Sequence, residues 1–533
     1  GVPKERDQAS NLSYATSFDQ VIANSQSDTF INKFLHSLKN FTPKAFGRAF
    51  ITEVIDSYHP IRLVEENLVE KQTGIRGLRD GVNSAYKFIE MQGNVAGRRE
   101  IVLKRGAPVL INNGEITIKD GTKGLMEVLG QIESETELRE FTEYAYAKRA
   151  ASLKERERLI GPDLIRQGLA RENEKFKKMF DDIQDFQQGM LDFLVQSGLI
   201  TQKERVNLGK YDYIPFYREI QDEFDKRTGT NKKKDILGPE VTSSVLNNPS
   251  AKLQKYKGGT APIGNIIDNL IRNASVFIDQ GMKNVAMQKT TNLFREAGVG
   301  KDLKVRPNPA GSVNYVTYKV NGRNKYYDVE DPLLYASLAS LAPRQVSGIL
   351  GAMETVARYF REFITHQPAF MVANYMRGEM AGFVTVDAKV TPIADSLKGF
   401  MNSLRNSESI EEMKLNAGVG GYTFGDTPRD SAKGFMRDLR FRNRDYTIVN
   451  SPQALIDLST KMWGGLTKVG EASELAYRDG VYRTLREQGK SKSEAAYEAL
   501  NVINFNRKGA MRTGLGSTLG ALIPLVPFLN ARI

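Results

Sequence analysis

FKKMFDDIQDFQQGMLDFL, Phe176 to Leu194, decides the fold class. Its apolar residues fall at Phe176, Met179, Phe180, Ile183, Phe186, Met190, Phe193 and Leu194. Steps of three and four put all eight on one face of an α-helix. Gly198 follows as a natural C-terminal stop. Upstream, ETELREFTEYAYAKRAASLKERERLI (Glu135 to Ile160) reads as a charged helix ended by Gly161-Pro162. Downstream, a third stripe runs through Ile266, Leu270, Ala274, Phe277, Ile278, Met282 and Val285. Such stripes predict helix packed on helix.

Two short β-hairpins interrupt the pattern. IVLKRGAPVLINNGEITIKDG (Ile101 to Gly121) has β-rich runs around Asn113-Gly114. VNYVTYKVNGRNKYYDV (Val313 to Val329) alternates Tyr315, Thr317 and Lys319 with Val316, Tyr318 and Val320 ahead of Asn321-Gly322. Asn-Gly between such runs signals a hairpin because both residues tolerate positive φ. A lone hairpin is barely stable, so each is expected to lie against helices. The fold class expected is mainly α: an elongated multi-helix protein with two small β-hairpins packed on helices.

The 533 residues are 40% hydrophobic and 26% charged, which fits a folded chain rather than a disordered or polytopic membrane one. The stretch 221–262 is polar, basic and rich in Gly, Pro, Ser and Asn. A second loose region opens at Asn416 and runs to Gly434. The expected organisation is an N-terminal helical region with a hairpin (1–219), a basic polar linker (220–263), a middle helical region with a hairpin (264–405) and a C-terminal helical region ending in an apolar segment (406–533).

The net charge is +12, which favours anionic partners such as nucleic acid or acidic lipid. There is no cysteine, which excludes disulfides and thiolate chemistry. The histidines, His36, His59 and His366, stand apart, so no His-based metal site and no cofactor is expected. Neither a Walker A motif nor a Gly-x-Ser-x-Gly elbow occurs, and these absences point away from an enzyme. The basic-aromatic stretch KGFMRDLRFRNRDY supplies candidate DNA contacts in Lys433, Arg437, Arg440, Arg442 and Arg444. Its plainer alternative is a solvated helix face with arginines paired to Asp438 and Asp445.

In THQPAFMVANYMRGEM, Pro368 suits a first helical turn, and Phe370, Ala373 and Asn374 share a face with Arg377 one turn on. Polar groups on an apolar face need buried partners. Asn374, Arg377, Glu471, Glu474 and Arg478 are the candidate structural polar cluster, with Glu474 and Arg478 spaced as an i,i+4 pair. A local surface pair is the alternative. GKSKSEAAYEAL reads as a Gly stop followed by a helix start. The closing GLGSTLGALIPLVPFLNARI carries no charge before Arg532 and needs burial in a core, a partner or lipid. Its membrane or assembly candidates are Leu515, Leu519, Leu522, Ile523, Leu525, Val526, Phe528 and Leu529. No run reaches the roughly 18 uninterrupted apolar residues of a membrane span.

Several phrases follow one another in order: YDYIPFYREI from Tyr211, KLQKYKGG, NLIRNASVFIDQGMKNVAMQK, VEDPLL from Val329, REFITHQPAFMVANYMRGEMAGF from Arg361, EASELAYRDGVYRTLREQGKSKSEAAYEALNVINFNRKGA from Glu471 and LIPLVPFLNARI from Leu522. This series resembles a large polyvalent-protein-associated domain of the internal virion, DNA-ejection proteins of short-tailed phages. It departs from that pattern at Arg377-Gly378, where relatives carry Arg-Asp. The resemblance implies a protein held in the virion interior that passes to the host cell envelope, at the periplasm and inner membrane, on infection. It implies a homo-oligomer, expected as a ring, that forms part of a conduit for the genome. Its implied partners are other ejection and core proteins, the portal or tail, phage double-stranded DNA bound non-specifically, and a host membrane. Relatives continue past the PFLNAR phrase, so this chain is expected to be a piece of a longer one. The alternative is a non-catalytic helical scaffold or DNA-binding module of a larger phage polyvalent protein. Lytic domains of relatives lie in separate N-terminal domains, and no matching motif occurs here.

Overall fold

Asn173 begins the helix that the Phe176 stripe predicts: its side chain accepts the Phe176 N–H at 2.8 Å. All eight stripe residues are buried. A computed structural model describes residues 56–92, 95–112, 114–153, 161–215, 223–225, 230–232, 266–307, 314–339, 341, 376, 394–417, 419 and 452–502.

In chain order the elements are α1 (His59–Thr73), a 3-10 turn (Gly81–Asn83), α2 (Ala85–Met91), α3 (Ala96–Arg105), β1 (Pro108–Ile111), β2 (Glu115–Ile118), α4 (Leu125–Leu129), α5 (Glu135–Leu153), α6 (Pro162–Leu169), α7 (Glu174–Gln196) and α8 (Gln202–Leu208). There follow β3 (Glu223–Asp225), β4 (Thr230–Lys232), α9 (Ile266–Ala297), β5 (Lys301–Leu303), β6 (Tyr315–Val320), β7 (Arg323–Asp328), α10 (Pro332–Ala339), α11 (Ala394–Arg405), α12 (Glu408–Ala417), α13 (Pro452–Glu487) and α14 (Lys492–Asn501). The protein is mainly helical, with small antiparallel sheets set on the helices.

One apolar cluster joins α1–α5, α7, α9 and the larger sheet. The seven-residue stripe of α9 is buried throughout, and the Phe193 ring of α7 packs where α9 carries Gly281. Residues on both sides of the expected linker thus share one core. Each fully buried Phe, Leu or Ile contributes about 1.5–3 kcal/mol through the water it leaves. A second cluster gathers Ile410 and Met413 of α12, Leu475, Val481 and Tyr482 of α13, and Ala496 and Leu500 of α14, with Met91 reaching into it from α2.

Both expected hairpins form, with three differences, the first being that residues 101–105, grouped with the first hairpin's β-rich runs, are the end of α3. β1 and β2 pair from Pro108↔Ile118 to Ile111↔Glu115, so their connection is the three-residue loop 112–114 rather than a two-residue Asn-Gly turn. The second hairpin does turn at Asn321 (φ +48°) and Gly322 (φ +73°), between paired Val320 and Arg323. It also gains a third strand, because β5 pairs with the outer edge of β7. A further pairing, β3 with β4, lies within the stretch read as linker. α12 extends to Ala417, so Asn416 and Ala417, the first residues of the stretch read as loose, are helical, and the rest of it apart from Val419 lies outside the described residues.

Candidate functional site: a buried charged seam

The two apolar clusters meet across a seam of charged and polar side chains. α3 supplies Arg98 and Glu100, both buried. A charge taken out of water must find partners. Arg98 finds three: it donates to the carbonyls of Leu415 at 2.8 Å and Asn416 at 3.1 Å and to Gln92 Oε1 at 2.9 Å. The two carbonyls belong to the last turn of α12, so the guanidinium satisfies its C-terminal acceptors. Burial pulls Arg98 down to about 10, against the opposing pull of Asp279 and with the help of Arg99.

Asn416 ties the same end of α12 to β2. Its Oδ1 accepts the Ile116 N–H at 3.0 Å and its Nδ2 donates to the Ile116 carbonyl at 3.3 Å. The amide thus stands in for one residue of a neighbouring strand.

Lys414, two residues back on α12, lies between two acids. Its Nζ is 3.0 Å from Glu100 Oε2 and 2.5 Å from Glu471 Oε1 of α13. Glu100 also receives Lys104 at 2.5 Å. Burial pushes the Glu100 carboxyl up, but Lys414 and Lys104 outweigh it and hold it at about 2. For Lys414, burial works against the charge, and Glu471 and Glu100 overcome it and raise the ammonium above its ordinary value.

α14 closes the seam. Ser491 caps it by accepting the Glu494 N–H, as the Ser-x-x-Glu spacing predicts. Glu494 then accepts from Lys87 Nζ at 2.6 Å and from the Gly81 N–H at 2.5 Å. Ser493 donates both its N–H and its hydroxyl to Glu115 of β2, and Tyr497 donates to Glu90 of α2. On the far side of α13, Asp479 accepts from Asn402, Ser409 and Arg483. There α11 lies against α13 so closely that a Cβ on Gly399 would stand 2.0 Å from the Ala476 carbonyl.

The expected Glu474–Arg478 pair forms, at 2.6 Å, with the Arg478 side chain 3% exposed. The arginine is buried and the glutamate is partly exposed. Glu471 joins Lys414, a partner the sequence reading did not name. Asn374 and Arg377 lie outside the described residues, as do the basic stretch 433–444 and the apolar stretch 515–529. Of the histidines, His59 opens α1, and His36 and His366 lie outside the described residues. Among the described residues no group of three or more His, Asp or Glu is placed to hold a metal ion, and no helix is long and apolar enough to cross a membrane.

What this arrangement does chemically is fix register. Each charge is met by a specific opposite charge or hydrogen-bonding group on another helix, so α12, α13 and α14 seat in one position against α2, α3 and β2. No family model, no curated protein and no solved structure matches the chain.

Proposed function

We propose that this protein is a phage internal virion protein of the DNA-ejection class, which assembles into part of a conduit for genome delivery across the host cell envelope. The observation that carries the reading is the fixed order of seven phrases between Tyr211 and Ile533. Three further features support it. The chain is cysteine-free, so passage between reducing and oxidising compartments leaves its covalent structure unchanged. It carries a net +12, suited to a path along which a polyanion moves. Its fold is built mainly of helices, whose local contacts re-form quickly after unfolding.

In this reading the protein acts by assembly and not by catalysis. Head-to-tail contacts that close give a ring. Arginines and lysines face the DNA, and apolar segments meet neighbouring copies or lipid. The test is the mass distribution of the purified chain with and without liposomes, by mass photometry and negative-stain imaging. Closed rings or tubes on lipid are expected. A monomer under every condition overturns the conduit and leaves the scaffold or DNA-binding module in its place.

A further inference from the structure

The C-terminal half of α9 and the three-stranded sheet enclose an open groove of about 560 Å³, away from the seam. Gln288, Asn292 and Arg295 come from the helix, and Lys304, Asn324 and Lys325 from the sheet side. The one acid in the lining, Asp302, is already engaged. Arg295 holds it through Nε and Nη2, both at 2.7 Å, and the same guanidinium reaches the Tyr318 hydroxyl. The Arg295 bond keeps the Asp302 carboxyl below its ordinary value, so it stays an anion matched to that cation.

That leaves Lys304 and Lys325. Both are exposed, and neither forms an ion pair with any described residue. Lys325 lies near enough to Asp302 to help lower its carboxyl, but with Arg295, Lys304 and Lys325 against the single acid, the described lining still carries a net positive charge beside side-chain amides. Arg323 extends them: it is exposed and lies two residues from Lys325 on β7, on the same face of the strand. Tyr318, the ring in the wall, is tied through its hydroxyl to Arg295, so it is not free to stack on a base. Gln288 and Asn292 are engaged within the fold, and the cations of the lining suit the phosphate oxygens of a ligand with repeated charges.

We propose that this groove binds the phosphate backbone of duplex DNA without regard to sequence, through Lys304 and Lys325 with Arg323 at the rim. The choice of DNA as the polyanion rests on the ejection reading. The contact is additional to the 433–444 stretch and lies on a different part of the chain.

The test is fluorescence anisotropy of the full chain with a labelled random-sequence duplex of about 20 base pairs, from about 50 to 200 mM salt. Each phosphate contact contributes about 0.9 to the slope of log affinity against log salt, so Lys304→Gln/Lys325→Gln should flatten that slope by about 1.8. Lys177→Gln/Lys178→Gln, an equal charge loss on the exposed side of α7, should leave it unchanged. All four lysines are exposed, and circular dichroism of each variant is the check that it folds. An unchanged slope in the groove variant, an equal change in both variants, or no duplex binding by the wild-type chain overturns the proposal. The same samples are weighed for rings. A groove variant that forms rings yet keeps the full slope overturns the groove alone, and a chain that binds through the groove but stays monomeric overturns the conduit alone.

Discussion

Replacing Lys414 by Met keeps the length of the side chain and removes its charge from the centre of the seam. Lys414 Nζ lies 3.0 Å from Glu100 and 2.5 Å from Glu471, with the lysine side chain 3% exposed. At an effective dielectric near 20, each pair carries about 6 kcal/mol of Coulomb attraction. Desolvating three ions offsets most of that, so the intact cluster contributes little net stability. The variant is different, because two carboxylates stay buried after the shared cation has gone. Glu100 keeps Lys104, and the expected loss is about 3–5 kcal/mol, the range for breaking a buried pair by removing one partner. The assay is urea unfolding together with hydrogen exchange, and lost protection should concentrate in α12, α14 and the C-terminal half of α13. Glu100→Gln/Lys414→Met/Glu471→Gln removes all three charges and should recover most of the loss. The reasoning is refuted if Lys414→Met costs under about 1 kcal/mol, or if the triple variant is no more stable than the single one. The pH dependence supplies a second reading. The Glu100 carboxyl sits at about 2 in the fold against 4.5 for the free side chain. A depressed carboxyl stabilises the fold above its unfolded pKa and loses that contribution as pH falls through the folded one. The seam should therefore hold in full above about 4.5 and weaken from there towards about 2, and Lys414→Met should show less of this acid transition.

Three further outcomes are expected. Arg98→Lys cannot reach both α12 carbonyls and Gln92 at once, so it should cost about 3 kcal/mol by denaturant titration and raise exchange at the end of α12. Gly399→Ala puts a methyl 2.0 Å from the Ala476 carbonyl and should cost about 1–3 kcal/mol, seen as faster exchange in α11 with α7 unchanged. Gly322→Ala must adopt φ +73° with its Cβ 2.7 Å from the Thr201 methyl, and should lower stability by at least about 1–2 kcal/mol in a thermal melt.

The helices of the first core were legible because period and burial agree there. Eight positions of α7 and seven of α9, read as stripes, are all inside. The turn at Asn321-Gly322 and the Ser491 cap were legible for the same reason: each is set by residues a few positions apart. β5 was not, since Lys301-Asp302-Leu303 is too short to show alternation and acquires its strand geometry from β7. Of the seam, the sequence singles out Glu471 but not its partner Lys414. Ile101-Val102-Leu103 reads with the β-rich runs of the first hairpin, yet it forms the last turns of α3, and nothing local reveals that Glu100 is neutralised by a lysine 314 residues further on. α11 misleads as well. Ser396, Gly399 and Ser403 share one spacing and Leu397, Met401 and Leu404 share another, so period alone would turn the leucines inward. The structure buries the small set, because only small residues allow α11 to approach the α13 backbone so closely.

Seam and groove answer to different solution variables, and that difference makes both testable in one molecule. Mobile salt screens exposed charges over about 8–10 Å in ordinary buffers but hardly reaches a desolvated pair. Lys304 and Lys325 are exposed, so raising salt should weaken what they hold. Lys414, Glu100 and Glu471 are buried, so the same titration should leave the seating of α12, α13 and α14 unchanged. Acid acts on the seam through Glu100, whose carboxyl Lys414 and Lys104 hold at about 2. Loss of duplex binding between about 50 and 200 mM salt at neutral pH, with hydrogen exchange across α12 and α14 constant, is then release of counterion-linked contacts and not unfolding. If exchange in α14 rises along the same salt axis, Lys87 and Glu494 are not shielded from solvent ions, and the account of the seam as a desolvated lock fails.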